Sequence, residues 1–163
     1  MEIIDASNLA PSPGNLDIIR YLIVEDFDTK EKISEACRQP FIKDAPFLVV
    51  ICSDITRVKI MYGERAEKYT RQTAGAVIEN FLLKAVNNGF VSCWIGAFDD
   101  NIVKEILSIP ESIEVEAILP VAYKHKLDKT KQKEKPNLIN RVFFHSYKNK
   151  FYKLPEKVRR DDI

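Results

Sequence analysis

The stretch AEKYTRQTAGAVIENFLLKAVNNG, residues 66–89, carries the strongest periodic signal in the chain. Its apolar residues recur at intervals of three and four, which places them on one face of an α-helix. Gly89 follows the last turn, and glycine commonly ends a helix because it accepts left-handed backbone angles. The pattern therefore predicts a long, central, mostly buried helix whose inward residues are Ala74, Val77, Ile78, Phe81, Leu82, Ala85 and Val86.

Apolar runs on both sides of this helix predict strands. The run APFLVVICSD, residues 45–54, is continuous, which is typical of a strand buried on both faces. The runs RYLIVED, residues 20–26, and VEAILPVAY, residues 115–123, are also strand-like. The run VSCWIGAF, residues 91–98, is interpreted as a strand or a strand-to-loop unit.

Three shorter helices are predicted from their end signals. One ends near Leu9, and a second runs to about Arg38 with Asp28 or Thr29 as its cap. The third covers residues 101–107, with Asp99 as its cap. These helices would lie between the strands along the chain.

The overall composition is that of one globular domain. The chain has 163 residues, of which 45% are hydrophobic and 30% charged, and this size can bury a substantial core. A net charge of +1 gives no reason to expect a nucleic-acid or membrane partner. We interpret Cys37, Cys52 and Cys93 as reduced core thiols of a cytoplasmic protein. No targeting segment or run of about 20 apolar residues is recognised.

The C-terminal part differs in composition from the rest. Residues 124–135 contain six lysines and almost no apolar side chains, which favours an exposed surface loop over an anion-binding patch. Residues 136–163 regain apolar side chains but are too few for a domain of their own. We therefore predict a single domain over residues 1–163, with residues 136–163 as an extension that wraps the core or a partner subunit.

Residues 11–15, Pro-Ser-Pro-Gly-Asn, predict a stiff turn just before the first strand. The prolines fix φ and bias the preceding residues away from helix, while Gly14 accepts angles that other residues avoid. The turn would hold the Ser12 hydroxyl and the Asn15 amide in fixed directions. Either these side chains bond the local backbone, or they bind a ligand.

No motif supplies complete catalytic machinery. His125 and His145 have no metal-ligand spacing to other candidate ligands. The five glycines form neither a dinucleotide fingerprint nor a phosphate loop, and no serine lies in a hydrolase elbow. If the protein is an enzyme, a cofactor is expected to carry the reactive atoms.

Four blocks, in this order, resemble the flavin-dependent nitroreductase family: APSPGNLDIIRYLIV, FIKDAPFLVVICSD, residues 61–111 and EAILPVAY. The resemblance covers about residues 4–123. It implies an α+β fold with a mixed sheet of about five strands flanked by helices, assembled as an intertwined homodimer with FMN at the subunit interface. It also implies hydride transfer from NADH or NADPH through flavin N5 to a small nitro compound, quinone or flavin, so no catalytic side chain is predicted.

The resemblance assigns FMN binding to two segments. Ser12, Pro13, Gly14 and Asn15 stand where the family's turn contacts the flavin. Ile95, Gly96 and Ala97 resemble the segment whose backbone lies near the flavin ring, although Gly96 could equally form a bulge. The residues expected to have no role in the site are Trp94 and Phe98, as core, and Tyr69, Arg71 and Gln72, as outward-facing positions of the central helix.

Two departures from the family pattern concern the cofactor. The family's arginine-rich N-terminal segment, which binds the FMN phosphate, has no counterpart before Arg20. We therefore expect an N-terminally short member, with Lys135 and Arg141 as the candidate phosphate ligands. Asp17 stands where the family usually has glutamine; its carboxylate could accept from flavin N3–H but would oppose negative charge on the reduced ring.

Two alternatives to an NAD(P)H-dependent FMN oxidoreductase stay open. One is a catalytically degenerate dimer of the same fold that serves as a scaffold or flavin carrier. The other is a flavin enzyme of this fold with a different reaction, such as reductive dehalogenation or flavin destruction.

Overall fold

The computed structural model describes residues 1–125 and 141–149. Its contacts divide the chain into two units, residues 1–126 and residues 127–163. Short 3₁₀ turns cover Pro13–Asn15, Pro40–Asp44 and Gly63–Arg65. The helices and strands of the first unit are, in chain order, α1 (Glu2–Ser7), β1 (Ile19–Val24), α2 (Phe27–Cys37), β2 (Phe47–Asp54), α3 (Thr56–Tyr62), α4 (Ala66–Asn87), β3 (Phe90–Ser92), α5 (Asp100–Leu107) and β4 (Ile113–Tyr123).

The α+β class is confirmed, with a difference in the sheet. The described residues form four strands in the order β1-β2-β4-β3, and every pairing is antiparallel, whereas a mixed sheet of about five strands was expected. The connection from β1 to β2 explains one of these pairings. Val24 lies opposite Leu48, so α2 and the turn after it carry the chain out and back to the same end of the sheet.

Both faces of the sheet are covered, as the continuous apolar run of β2 predicts. Val49 and Ile51 point into a cluster with α4, while Leu48 and Val50 point into a second cluster with α2 and α5. Alternate residues of a strand face opposite sides, so a strand buried on both sides must be apolar throughout.

The central helix matches its predicted bounds to within one residue. Six of the seven predicted inward residues are buried or half-buried, but Val86 is 65% exposed. Each step of four residues rotates the side chain about 40° around the helix axis, so the series through Ile78 and Leu82 has left the buried face by Val86.

Three further local predictions are corrected. Asp26, rather than Asp28 or Thr29, caps α2 by accepting from the Thr29 backbone N–H at 2.8 Å. Cys37 and Cys52 are buried free thiols, but Cys93 is exposed. Trp94 is not a core residue, because 45% of it is exposed. The predicted Asp99 cap of α5 is confirmed by its bond to the Ile102 N–H at 3.1 Å.

A β-bulge interrupts the pairing of β2 with β4. Ile51 lies opposite Ala117, and the next residue, Cys52, lies opposite Val115, so Glu116 is the extra residue. A bulge redirects the extra side chain. The Glu116 carboxylate accepts from Ser53 Oγ at 2.5 Å and pairs with Arg71 Nη1 at 2.7 Å.

The second unit is described only over residues 141–149. Phe143 and Tyr147 stack with ring centroids 4.3 Å apart, and the Phe144 N–H donates to the Asn149 carbonyl at 2.9 Å. Residues 126–140 lie outside the described residues. They include most of the predicted lysine-rich loop, residues 124–135. The single-domain prediction and the wrapping role of residues 136–163 stay predictions.

Candidate functional site

The turn at residues 11–15, here called the proline turn, has the stiff backbone that its sequence predicts. Two hydrogen bonds close it, from Asn15 N–H to the Ser12 carbonyl and from Leu16 N–H to the Pro13 carbonyl, both at 3.2 Å. Gly14 and Asn15 have φ of 60° and 55°, in the left-handed region. A Cβ on Gly14 would lie 3.0 Å from Tyr62 Oη, so both the backbone angle and the close approach favour glycine.

Helix α4 anchors this turn. Thr73 is 5% exposed and its hydroxyl donates to the Pro11 carbonyl at 3.2 Å. The sequence pattern predicts only packing for the inward face of this helix, so the role of Thr73 was not predicted. Its position between buried Thr70 and Val77, at helical spacing, was the available signal.

A cavity of about 340 Å³, here called the turn cavity, lies beside the proline turn. Within residues 1–125 and 141–149, no hydrogen bond is formed by the Ser12 hydroxyl or the Asn15 side-chain amide. Asn8 is held by Tyr21, whose hydroxyl donates to Asn8 Oδ1 at 2.8 Å. The cavity is lined by Asn8, Ala10, Ser12, Asn15, Leu16, Asp17, Ile18, Ile19, Thr73 and Val77.

Burial raises the pKa of the Tyr21 phenol, and the negative charge of Asp17 acts in the same direction, while a hydrogen bond with Ser7 opposes them. Tyr21 therefore stays protonated at neutral pH and continues to donate to Asn8. This bond fixes one wall of the turn cavity.

Asp17 lines the turn cavity but is not an isolated charge. Arg20 Nη1 donates to Asp17 Oδ1 at 3.0 Å and to the Ile19 carbonyl at 2.8 Å. The Asp17 side chain is 85% exposed, so this ion pair is screened by water. The repulsion predicted between Asp17 and a reduced ring is thus partly offset by a positive charge from β1.

A second cavity, of about 380 Å³, shares Ser12 and Thr73 with the turn cavity and is here called the tyrosine cleft. The Tyr62 and Tyr69 rings meet edge to face, with centroids 5.3 Å apart and planes at 87°. Arg65 Nη1 lies 3.5 Å from Tyr69 Oη. The cleft is lined by Pro11, Ser12, Pro13, Tyr62, Tyr69, Gln72 and Thr73.

Tyr69, Arg71 and Gln72 were predicted to face outward and were assigned no role in the site. Arg71 and Gln72 are exposed, as predicted, whereas Tyr69 is half-buried. Tyr69 and Gln72 line the tyrosine cleft, and Arg71 pairs with the buried carboxylate of Glu116. Tyr62, which the sequence analysis did not consider, contacts both Tyr69 and the proline turn. Tyr62 and Tyr69 flank a Gly-Glu-Arg turn and belong to no recognised motif. The sequence alone therefore did not indicate that their rings meet.

The segment 94–98 lines neither the turn cavity nor the tyrosine cleft. Ile95 bridges Ile118 through two backbone bonds of 3.1 and 3.0 Å, and its side chain is 3% exposed in the core. Ala97 lines a different cavity, together with Cys37 and Phe98. Gly96 is exposed and has room for a Cβ, whose nearest neighbour would be 3.8 Å away.

The structure therefore brings together Ser12, Asn15 and Asp17, while Pro13 lines the tyrosine cleft and Gly14 supports the turn. It does not place Ile95, Gly96 or Ala97 in either of these two cavities. Of the two candidate phosphate ligands, Lys135 lies outside the described residues, and Arg141 is an exposed residue of the second unit.

The described parts of the chain contain neither a metal-binding cluster nor a helix that could span a membrane. Residues 1–125 and 141–149 contain no group of three or more metal-ligating side chains suited to hold an ion. None of the helices described there has both the length and the apolarity needed to cross a bilayer.

Comparison with known proteins gives matches over most of the first unit. The sequence profile of the Nitroreductase family matches residues 27–123. A protein of Methanocaldococcus jannaschii named as a nitroreductase is 35% identical over 95 residues, covering 56% of this chain and 48% of that protein. A Bacillus subtilis protein named FMN reductase (NAD(P)H) is 36% identical over 89 residues, covering 54% of this chain and 35% of the relative.

One solved structure of a nitroreductase family protein has a similar fold. The nitroreductase family protein of Clostridium novyi NT is 25% identical, with a TM-score of 0.68 over 77% of this chain and 72% of its own. The chain spans about half or less of the length of the two sequence relatives. The α+β fold class predicted from the resemblance is therefore confirmed.

Proposed function

Because the chain belongs to the nitroreductase family, we propose that it is an FMN-dependent oxidoreductase that takes electrons from NADH or NADPH and passes them to a small acceptor. The observation that carries the proposal is the turn cavity, where the side chains of Ser12 and Asn15, which form no hydrogen bond within residues 1–125 and 141–149, stand on a turn fixed by Gly14 and Thr73. The name of the Bacillus subtilis relative, FMN reductase (NAD(P)H), supports both FMN and NAD(P)H.

The side chains of the turn cavity suit the polar edge of a flavin ring. That edge presents carbonyl oxygens and an N–H, and Ser12 and Asn15 can both donate and accept. Asp17 can accept from the ring N–H. When bound, FMN would supply reversible two-electron chemistry at N5. The chain's own part is to bind the ring edge, to orient it through the rigid turn, and to leave the tyrosine cleft open beside it.

The phosphate group needs a separate ligand. None of the described residues that line the two cavities is a lysine or arginine. We retain Lys135 and Arg141 as the proposed phosphate ligands, since a phosphate is held best by charge-assisted bonds.

The homodimer is part of the proposal. Exposed apolar side chains lie along the C-terminal half of α4 and at the strand edge beside it, among them Leu83, Val86, Trp94 and Tyr123, which are 45–73% exposed. Such a patch favours a partner surface. Ile95, Gly96 and Ala97 are retained as a proposed flavin-binding segment that would meet the proline turn of a second copy. Within one chain, none of the three lines the turn cavity or the tyrosine cleft.

A visible spectrum of the purified chain tests the proposal. We expect flavin bands that bleach when NADH or NADPH is added without oxygen and return when an acceptor follows. The variant Ser12→Ala/Asn15→Ala should lose flavin, while Ser112→Ala, an exposed serine in the loop before β4, should retain it. A colourless protein after reconstitution with FMN would favour a scaffold dimer, and a bound flavin that NAD(P)H does not bleach would favour a carrier.

A further inference from the structure

A third cavity, of about 240 Å³, lies beside the β-bulge and is here called the bulge pocket. It is lined by residues of β2, α3, α4 and β4 and shares none of them with the turn cavity or the tyrosine cleft. We propose that the bulge pocket binds a small α-amino acid in its zwitterionic form. Among the lining residues are Ser53, Lys59, Glu67, Thr70, Arg71 and Glu116.

The Glu116 carboxylate is a fixed negative charge in the bulge pocket. Its side chain is 5% exposed, and its two oxygens accept one hydrogen bond each, from Ser53 and from Arg71. An ionised carboxylate offers about four lone-pair sites, so Glu116 can accept further bonds from a ligand N–H. Because its partners already hold the carboxylate, a ligand would bind it with little further loss of side-chain freedom.

Arg71 is a positive charge with unused donors in the same pocket. The hydrogen bond with Glu116 raises the pKa of the Arg71 guanidinium, while partial burial opposes this change. The negative charges of Glu114 and Glu67 also raise that pKa, so both carboxylates lie near Arg71. A guanidinium has five N–H donors in a planar fork, and the Arg71 side chain is half exposed. Arg71 can therefore hold Glu116 and still donate to the carboxylate of a ligand.

Lys59 and Glu67 line the bulge pocket but do not pair with each other. Within residues 1–125 and 141–149, neither side chain forms an ion pair or a hydrogen bond. One ligand that carries both signs can pair with both, its ammonium beside Glu67 and Glu116 and its carboxylate beside Lys59 and Arg71. A ligand with a single charge would pair with only one of these two sets.

The Thr70 hydroxyl is a polar group of the pocket that the described chain leaves unsatisfied. Thr70 is 2% exposed and lines the bulge pocket, and its Oγ1 has no hydrogen-bond partner within residues 1–125 and 141–149. Buried hydroxyls without a partner are uncommon, because the missing bond costs free energy. Rotation about χ1 to the next staggered position would exchange the methyl and the hydroxyl and let the hydroxyl bond a ligand.

The size of the bulge pocket limits the ligand. A volume of about 240 Å³ is below the usual range for drug-sized ligands, so it suits a molecule with few heavy atoms. The described residues contain no group of metal-ligating side chains, so the three carboxylates of the pocket are not arranged for a metal ion. A small amino acid such as L-alanine fits both the size and the charges.

The test compares L-alanine with two probes that each lack one of its charges, propionate and ethylamine, by calorimetry on the full chain. We expect L-alanine to bind about tenfold more tightly than either, because only it pairs with both sets of charges. The preference should shrink as salt is added. Calorimetry reads this binding whether or not flavin is present, so the result does not depend on the proposed oxidoreductase.

Variants of the two unpaired charges test the assignment. Glu67→Gln should narrow the preference for L-alanine over propionate, and Lys59→Gln should narrow its preference over ethylamine. The matched controls Glu64→Gln and Lys68→Gln change exposed residues of the same segment that do not line the pocket, so they should preserve both preferences.

Thr70→Val separates binding from stability. It keeps the shape of the side chain and removes a hydroxyl with no partner in the described chain, so it should weaken L-alanine binding severalfold without lowering the melting temperature. An unchanged affinity in this variant would overturn the role of the hydroxyl. No binding of L-alanine at about 10 mM, equal affinity for the three probes, or unchanged preferences in both charge variants would overturn the proposal.

Discussion

One face of the sheet packs against α4, and the other packs against α2 and α5. Both bury the same kinds of apolar side chain, but the proline turn lies on the α4 side. On the α2 and α5 face, even the buried Lys30 is satisfied, because its ammonium donates to the carbonyls of Ala45 and Pro46 at 2.7 and 3.2 Å. On the α4 face, Ser12 and Asn15 line a cavity without hydrogen-bond partners in the described chain. The buried Lys30 needs its partners within the chain, whereas the half-buried Ser12 and the exposed Asn15 can bond to water or to a ligand in the cavity.

The largest expected effect is a loss of stability, without loss of ligand binding, on the α2 and α5 face. Ile33→Ala, on the α2 face, removes most of a fully buried side chain and should lower the free energy of unfolding by about 2–5 kcal/mol. The affinity of the folded protein for flavin should not change. Ile102→Ala, at a 45% exposed position of α5, is the matched control and should cost far less. Chemical denaturation measures both. An Ile33 variant that stays stable but loses ligand would contradict the division between the faces.

The ion pair at the β-bulge tests whether polar contacts also hold α4. Arg71→Met leaves the Glu116 carboxylate, 5% exposed, with Ser53 but without its cation, whereas Arg71 itself is half exposed. We expect a loss of about 2 kcal/mol, below the 3–5 kcal/mol of a fully buried pair, since water screens one partner. The double variant Arg71→Met/Glu116→Gln should recover part of it. Additive losses in this cycle would show that the pair is uncoupled.

The glycines of the two candidate segments offer a direct comparison. Gly14→Ala forces alanine to φ near 60° and brings its Cβ to 3.0 Å from Tyr62 Oη, so we expect about 1–2 kcal/mol of destabilisation and weaker flavin binding. Gly96→Ala meets nothing closer than 3.8 Å and should change the stability of the chain by less than about 0.5 kcal/mol. Thermal melts and flavin titrations of the two variants test this ranking. Equal losses of stability would mean that Gly96 has a backbone constraint of its own.

The smallest expected effect concerns the charges beside the turn cavity. An unpaired Asp17 carboxylate about 5–6 Å from a negative reduced ring would oppose it by roughly 3 kcal/mol at an effective dielectric of about 20, or about 60–70 mV for a two-electron couple. Because Arg20 pairs with Asp17, we expect Asp17→Gln to raise the flavin potential by only about 10–30 mV.

The companion variant Arg20→Gln should lower the same potential, because it exposes the full charge of Asp17. Spectroelectrochemical titration of both variants gives the sign and size of each change. If neither potential moves and only the melting temperature falls, Asp17 is a residue of the turn and not of the flavin site.

Much of the fold was determined by local sequence. The period of the apolar residues in α4 and the continuous apolar run of β2 predict their structures because burial on one face, or on both, must repeat with the geometry of the element. The proline turn was predictable for a similar reason, since Pro11, Pro13 and Gly14 restrict their own backbone angles. The helix caps were less certain, because Asp26, Asp28 and Thr29 are all suitable residues, and the path of the chain selects Asp26.

The tertiary structure decided which side chains meet. Tyr62 and Tyr69 join Ser12 across about fifty residues of sequence, and no local pattern records that contact. Glu116 reaches Ser53 and Arg71 only because the register of two strands shifts by one residue. Sequence thus determined the elements and the stiff turn, through constraints carried by each residue and its neighbours. The two cavities depend on the packing of α3 and α4 against that turn, which is a property of the folded chain.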